Sequence, residues 1–280
     1  WDLFRYPGVR SDSDMHTLGF EFEPWRHEKS IADGPAILDY LNRIVDEREI
    51  RRHIRFDSKV ISADFDSASA MWIASLESAD GQRSRVTAPW LYLGSGYYDY
   101  DKPFEAEFAG REDFKGEVIH PQFWPENFDY TGKHVVVIGS GATAVTIVPS
   151  MADKAAHVTM LQRTPTWYGI RPAKDAIANF LRKILPEELA YKITRFKNVR
   201  IQNMVFKRAR TKPQQVKDFL TKRIKQALGD KYDAKTFTPP YDPWDQRLCL
   251  VPDGDLFTAI NAGKASIVTD HIDRFDATGI

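Results

Sequence analysis

The spacing of apolar positions changes character several times along the chain. From Trp1 to about residue 33, aromatic residues, Gly, Pro and Asp follow one another without a sustained period, which predicts loops wrapped against another surface. Pro35 then opens a helical pattern. Ile37, Leu38, Leu41, Ile44 and Val45 fall on one face, so an amphipathic helix of roughly three turns is expected. Three strand-like runs follow, Ile54 to Asp64, Met71 to Ser75 and Arg85 to Leu93, each ended by Asp, Ser, Gly or Ala clusters, and they predict a small β-meander. Leu91 to Pro103 reads as a buried strand running into Gly94-Ser95-Gly96, either a close backbone approach to a cofactor or a simple tight turn.

From Lys133 onward the pattern becomes strand, Gly-rich turn, helix, strand, which predicts an α/β arrangement like the first unit of a dinucleotide fold. Lys174 to Leu228 is mostly helical, and Thr238 to Asp255 is Pro-rich and irregular. Ala265 to Ile280 reads as a strand followed by the beginning of another.

With 42% hydrophobic and 28% charged residues in 280, the chain has the mix of a soluble globular protein with one large core or two ordinary ones. The single cysteine, Cys249, excludes an internal disulfide and fits a reducing, cytoplasmic location. Apolar runs stay short of the roughly 18 to 20 residues that cross a bilayer, and the N-terminal residues show neither a basic leader nor an apolar signal core. Neither secretion nor membrane spanning is expected. The formal net charge is zero, but Arg171 to Lys235 holds 18 Lys and Arg against 6 Asp and Glu. Such a basic segment reads either as solvated helices that balance an acidic body or as a patch for a membrane surface or an anionic partner. No nucleic-acid motif accompanies it.

The most informative stretch is His134 to Ala152. Its apolar strand, Val135 to Ile138, runs directly into Gly139, Ser140, Gly141, Ala142, Thr143 and Ala144 at the head of a helix. In such a fingerprint Gly139 permits the tight turn, Gly141 lets backbone N–H groups reach a pyrophosphate, and Ala144 is small enough for the helix to pack on its strand. The helix N-terminus adds partial positive charge. At the end of the second strand, His157 to Leu161, stands Gln162-Arg163-Thr164. A carboxylate at this point accepts the ribose hydroxyl of NAD, whereas the guanidinium of Arg163 and the hydroxyl of Thr164 suit a 2′-phosphate, so NADP(H) is the expected cofactor. The seven histidines are scattered without helical pairing and there is no Cys cluster, so no metal site is expected. A serine-hydrolase elbow also fails, because Gly94-Ser95-Gly96 and Gly139-Ser140-Gly141 lack the GxSxG spacing.

Upstream of this turn, Phe114, Gly116, His120, Trp124 and Pro125 occupy five positions in a stretch of twelve that resembles the fingerprint of Baeyer-Villiger flavin monooxygenases. Arg5 to Asp12 is similar to that family's segment beside the flavin, Leu161 to Pro165 to its NADP-specific strand end, and Gln246-Arg247-Leu248 to the surroundings of its catalytic arginine. The resemblance extends over essentially the whole chain. It implies residues 1–110 as part of a FAD-binding domain carrying the meander, 111–130 as a linker, and 131–280 as a Rossmann-like NADP-binding domain with a helical insertion at about 171–235.

The family's activity, implied by the same resemblance, uses NADPH to reduce FAD, adds molecular oxygen as a flavin peroxide, and inserts one oxygen atom beside a ketone carbonyl. Arg247 would stabilise the developing anion, because it stays cationic and forks toward oxygen. Asp12 would orient Arg247 and touch the nicotinamide. Arg10, Ser11 and Gln246 would reach NADP, although Gln246 departs from the lysine of many relatives. Trp1, Asp2, Asp12 and, near the adenine, Val60 would face FAD. His120, in this linker, is expected to fix domain orientation rather than to transfer a proton. N- or S-oxidation by a sister flavin monooxygenase, and an NADP-binding module without turnover, remain the alternative readings.

Overall fold

A computed structural model describes residues 1–96 and 98–280 of the chain. Two compact units emerge, Trp1–Tyr40 together with Glu105–Ile280, and Leu41–Phe104. Compactness thus groups the first 40 residues with the residues from 105 onward rather than with the meander.

The N-terminal loops of the larger unit are held by a few backbone links. Ser11 N donates to Ala32 O at 2.8 Å and Ser11 Oγ accepts from Ala32 N at 3.0 Å, so two separated loop segments pair edge to edge. Helix α1 (Met15–Leu18) is capped by Asp14, which accepts from Thr17 N. Helix α2 (Gly34–Glu47) follows, with Ile37, Tyr40 and Ile44 buried as their spacing predicts. Gly34 has no room for a side chain, since a Cβ there would meet Val9 Cγ1 at 2.8 Å.

The smaller unit contains the meander: β1 (Ser58–Asp66), β2 (Met71–Ser78) and β3 (Arg83–Ala88), antiparallel in that order. The first strand starts later than its apolar pattern suggests, because Ile50–His53 forms a 3-10 turn and Asp57 takes a left-handed φ of 51° that breaks extension. The third strand ends earlier than expected. Pro89 has no N–H to continue the ladder, and Trp72 paired with Ala88 closes the register. The buried strand expected at Leu91 is therefore absent; Trp90, Tyr92 and Leu93 are between 72% and 77% exposed. Tyr97 of the same Gly-rich segment lies outside the described residues.

The body of the larger unit is an α/β Rossmann-like fold. Strand β4 (His134–Ile138), helix α3 (Ala142–Met151) and strand β5 (His157–Gln162) form the first parallel crossover. Next come β6 (Trp167–Arg171) and the helical insertion: α4 (Ala176–Ile184), α5 (Glu187–Thr211), α6 (Pro213–Leu228) and α7 (Ala234–Phe237). Strand β7 (Leu248–Pro252), helix α8 (Asp255–Asn261) and strand β8 (Ala265–Thr269) complete it. One parallel sheet has the order β4-β5-β8, and β6 pairs with β7 in a second.

Burial alternates along β5, so that Val158, Met160 and Gln162 face the core where Val145, Val148 and Met151 of α3 pack with Tyr168, Val251, Leu256 and Phe257. Beyond β8 no second strand begins. Phe275 is buried against Phe108 and Phe114 instead, and Asp276 Oδ1 accepts from Thr278 N (2.7 Å) and Gly279 N (2.9 Å), curling the chain into a turn. Among the described residues no helix is long and apolar enough to cross a membrane, and no group of three or more His, Cys, Asp or Glu is placed to hold a metal.

Candidate functional site

The glycine turn follows directly from the strand that feeds it. Gly139 N donates to Leu161 O at 2.8 Å, which extends the β4–β5 pairing one residue beyond Ile138 and Leu161. The backbone then turns at φ 126°, a value that a side chain strongly disfavours. No atom lies within 4 Å of where a Cβ would stand at Gly139 or at Gly141, so the turn faces open space. Gly141 is the N-cap of α3 and no side chain caps the first-turn N–H groups, which leaves them free to donate to an anion at the positive end of the helix.

Neighbouring fingerprint residues have different tasks. Ser140 is buried; its Oγ donates to Thr164 O at 3.1 Å and accepts from Thr166 Oγ1 at 3.2 Å, so it ties the turn to the β5–β6 loop instead of reaching outward. The Thr143 side chain is hydrogen-bonded to the Tyr6 hydroxyl. Ala144 is buried in the core and Ala142 packs at its edge, as the need for small residues predicts.

At the end of β5 the three candidate residues separate by role. Gln162 is fully buried, and its Nε2 donates to Thr236 O and Thr269 Oγ1, both at 2.8 Å, which locks the strand end to α7 and β8. Arg163, next in sequence, is exposed and makes no hydrogen bond or ion pair among the described residues. Thr164 offers its carbonyl to Ser140. The turn and Arg163 thus follow the same ends of two adjacent parallel strands, aligned by the Ile138–Leu161 pairing.

The loop leading into Arg10–Asp12 lies against the same helix through Tyr6 and Gly8. A Cβ on Gly8, which has φ 73°, would fall 1.8 Å from Ser150 Oγ of α3, so only glycine allows this approach. Arg10 Nη1 donates to Asp255 Oδ2 at 2.5 Å in the first turn of α8, while its buried Nη2 has no partner. Burial raises the Asp12 carboxyl above its ordinary pKa, with the Arg10 guanidinium opposing. Burial likewise raises the Tyr6 phenol, with the Thr143 bond lowering it and Asp12 raising it. Tyr6, Arg10, Asp12 and Thr143 therefore form one cluster at the head of α3.

Cys249 links this cluster to Arg247. Its thiol is pushed up to about 11, first by burial and then by the negative charge of Asp12, against which Arg247 acts. Its Sγ lies 3.9 Å from Ser140 O, directly beneath the turn. Arg247 and Gln246 are exposed just before β7. No ion pair among the described residues joins Asp12 to Arg247, so the expected orienting contact is not made here; the cation beside Asp12 is Arg10.

The twelve-residue motif is built for packing. A Cβ on Gly116 would approach the Phe114 ring to 2.4 Å, and that ring meets Phe275 edge-on at 5.9 Å. His120 Nδ1 accepts from Gln122 N at 3.2 Å, capping a short helical turn. Trp124 packs against the core and meets Phe128 edge-on, and Pro125 O accepts from Phe128 N at 3.4 Å. Trp1 is exposed and Asp2 pairs with Arg5 at 3.2 Å. Val60 is exposed on β1, in the other compact unit. Sequence reasoning missed Tyr6 and Asp255; only the Pro7-Gly8 pair between Tyr6 and Arg10 hints that this loop is pressed onto something.

A family model described as Flavin-binding monooxygenase-like matches residues 28–225. The chain is 53% identical over 282 residues to the FAD-containing monooxygenase EthA of Mycobacterium tuberculosis, covering 100% of this chain and 58% of that protein. It is 49% identical over 281 residues to the probable FAD-binding monooxygenase AlmA of Acinetobacter baylyi, again over 100% of this chain and 56% of the relative. The chain thus spans little more than half the length of these relatives. Among solved structures, an oxidized steroid monooxygenase bound to NADP superposes with a TM-score of 0.76 at 22% identity, over 100% of this chain and 61% of that one. A cyclohexanone-bound cyclohexanone monooxygenase gives 0.72 at 21% identity, over 100% and 61%. With more than half of its residues matched by the family model, this chain belongs to the flavin-binding monooxygenase-like family.

Proposed function

We propose that the protein is an NADPH- and FAD-dependent monooxygenase that inserts one oxygen atom beside a ketone carbonyl, and that this chain contributes its NADP-binding body. The observation that carries the reading is the open Gly139–Gly141 turn at the head of α3, which follows a strand whose Ile138 pairs with Leu161, two positions before the exposed, unpartnered Arg163. Backbone N–H groups of the turn would hold the pyrophosphate, and the guanidinium would hold the 2′-phosphate. Bound flavin supplies the redox chemistry. Asp12 and Arg247 both act on the Cys249 thiol beneath the turn, and Arg10 stands beside Asp12; Arg247, exposed and uncommitted, is the cation available to an anion developing on the substrate. Trp1 and Asp2, in the larger unit, would face the flavin.

Ketone oxidation is supported by Phe114, Gly116, His120, Trp124 and Pro125 standing together, and by the cyclohexanone monooxygenase fold. The relatives near half identity are named as monooxygenases without a substrate, so heteroatom oxidation is the competing outcome. The test supplies the intact protein with NADPH, oxygen and either a cyclic ketone or a thioether, and analyses products. A lactone is expected; sulfoxide alone would refute the ketone assignment. Absence of both flavin absorbance near 450 nm and NADPH consumption would refute the monooxygenase reading.

A further inference from the structure

Two helices of the insertion are turned inside out. A surface helix ordinarily directs its apolar stripe to the core and its polar residues to water. In α4 the polar residues face the protein: Asn179 Nδ2 donates to Glu28 O at 3.1 Å, and Arg182 donates to the carbonyls of His27, at 3.2 Å, and Arg26. Ile177, Phe180 and Ile184 recur at helical spacing on the opposite side and are 54% to 59% exposed.

Helix α5 repeats the inversion. Asn198 Nδ2 donates to Asp14 Oδ1 at 2.9 Å and Gln202 Nε2 to Asp14 Oδ2 at 2.6 Å, so its polar face is buried. Ile193, Phe196 and Met204 stay 40% to 62% exposed. Arg200 and Lys207 share that outward face by spacing, and the Arg200 guanidinium lies over the Phe196 ring at 4.9 Å.

Charge selects among occupants. Lys174 to Lys212 carries 11 Lys and Arg against 3 Asp and Glu. Each of the three acids is already paired: Asp175 with Lys197, Glu187 with Arg26 and Glu188 with Lys192. Lys183, Arg200 and Lys207 have no ion pair among the described residues. A second copy would set one strongly cationic face against another, which is repulsive. An anionic bilayer surface meets both demands, since its headgroups neutralise the cations while its acyl boundary takes up the Ile and Phe side chains.

We propose that the outward face of α4 and α5 docks on anionic membrane surfaces. The test is flotation of the intact protein with vesicles of phosphatidylcholine alone and of phosphatidylcholine mixed with phosphatidylglycerol. Binding is expected only to the mixed vesicles. Lys183→Glu with Arg200→Glu and Lys207→Glu should weaken it by roughly 100-fold or more, from the loss of three surface cations. Phe180→Ser with Phe196→Ser should also abolish it, with the thermal unfolding temperature unchanged because both rings are already exposed. Absence of flotation, equal binding to neutral vesicles, or loss of self-association in the Phe variant would overturn the proposal. So would a large fall in its unfolding temperature, which would show that the protein's own chain covers this face. Each outcome is read without turnover, so failure here leaves the catalytic assignment intact.

Discussion

Replacing Arg163 by alanine isolates the proposed cofactor-selecting interaction, because the side chain is exposed and bonds to no other described residue. Folding should be unaffected, as surface substitutions of this kind change stability by about 0.5 kcal/mol or less. A hydrogen bond to a charged group is worth about 1.5 to 3 kcal/mol, or roughly 10- to 150-fold in affinity. Arg163 is solvent-exposed, which screens the pair and places the expected loss in the lower half of that range. NADPH affinity measured by titration calorimetry on the intact protein should therefore fall by roughly 10- to 40-fold. NADH affinity, lacking the 2′-phosphate, should hold. The NADPH loss should also shrink as salt is raised, since mobile ions already attenuate the interaction. An equal fall for both coenzymes would refute the reasoning, as would unaltered NADPH binding.

Ser140→Ala should lower equilibrium stability by about 0.5 to 1.5 kcal/mol through loss of the bond to Thr164 O, with the turn still open. Urea unfolding reads the change, and a fall in NADPH affinity at unchanged stability would instead place the hydroxyl on the cofactor. His16 is buried and its pKa is lowered from the ordinary 6.5, first by desolvation, so the folded state disfavours the imidazolium. Above pH 6.5 this group's contribution is fully present; as pH falls through 6.5 the unfolded chain takes up a proton first and stability declines until the folded pKa is passed. Unfolding midpoints of His16→Gln should show a shallower acid slope than those of the parent protein, and identical slopes would remove His16 from the account.

The parts of this fold written in local pattern were legible in the sequence. Val135 to Ile138, the glycines after them and the face of α2 each depend on neighbours a few positions away, and each stands where its spacing places it. Contacts joining distant loops were not. Arg10 meets Asp255 across 245 positions, and no periodicity announces that pair. Ser140 occupies a fingerprint position yet bonds inward, because its direction is decided by the Thr164 and Thr166 groups that β5 and β6 bring beneath it. Pro89 could have ended β3 in advance, but the apolar residues after it outweighed the missing donor. The charge of 171–235 was plain; which side of each helix met water was not, since apolar spacing alone does not say whether the stripe points in or out.

The backbone bond from Gly139 to Leu161 has an evolutionary consequence. That bond joins main-chain atoms and involves no atom of residue 163, so a new side chain there leaves it in place. On the proposed cofactor assignment coenzyme choice would be modular: one electron donor could be exchanged for another by editing a single solvent-facing residue, while the scaffold that carries it stays unchanged.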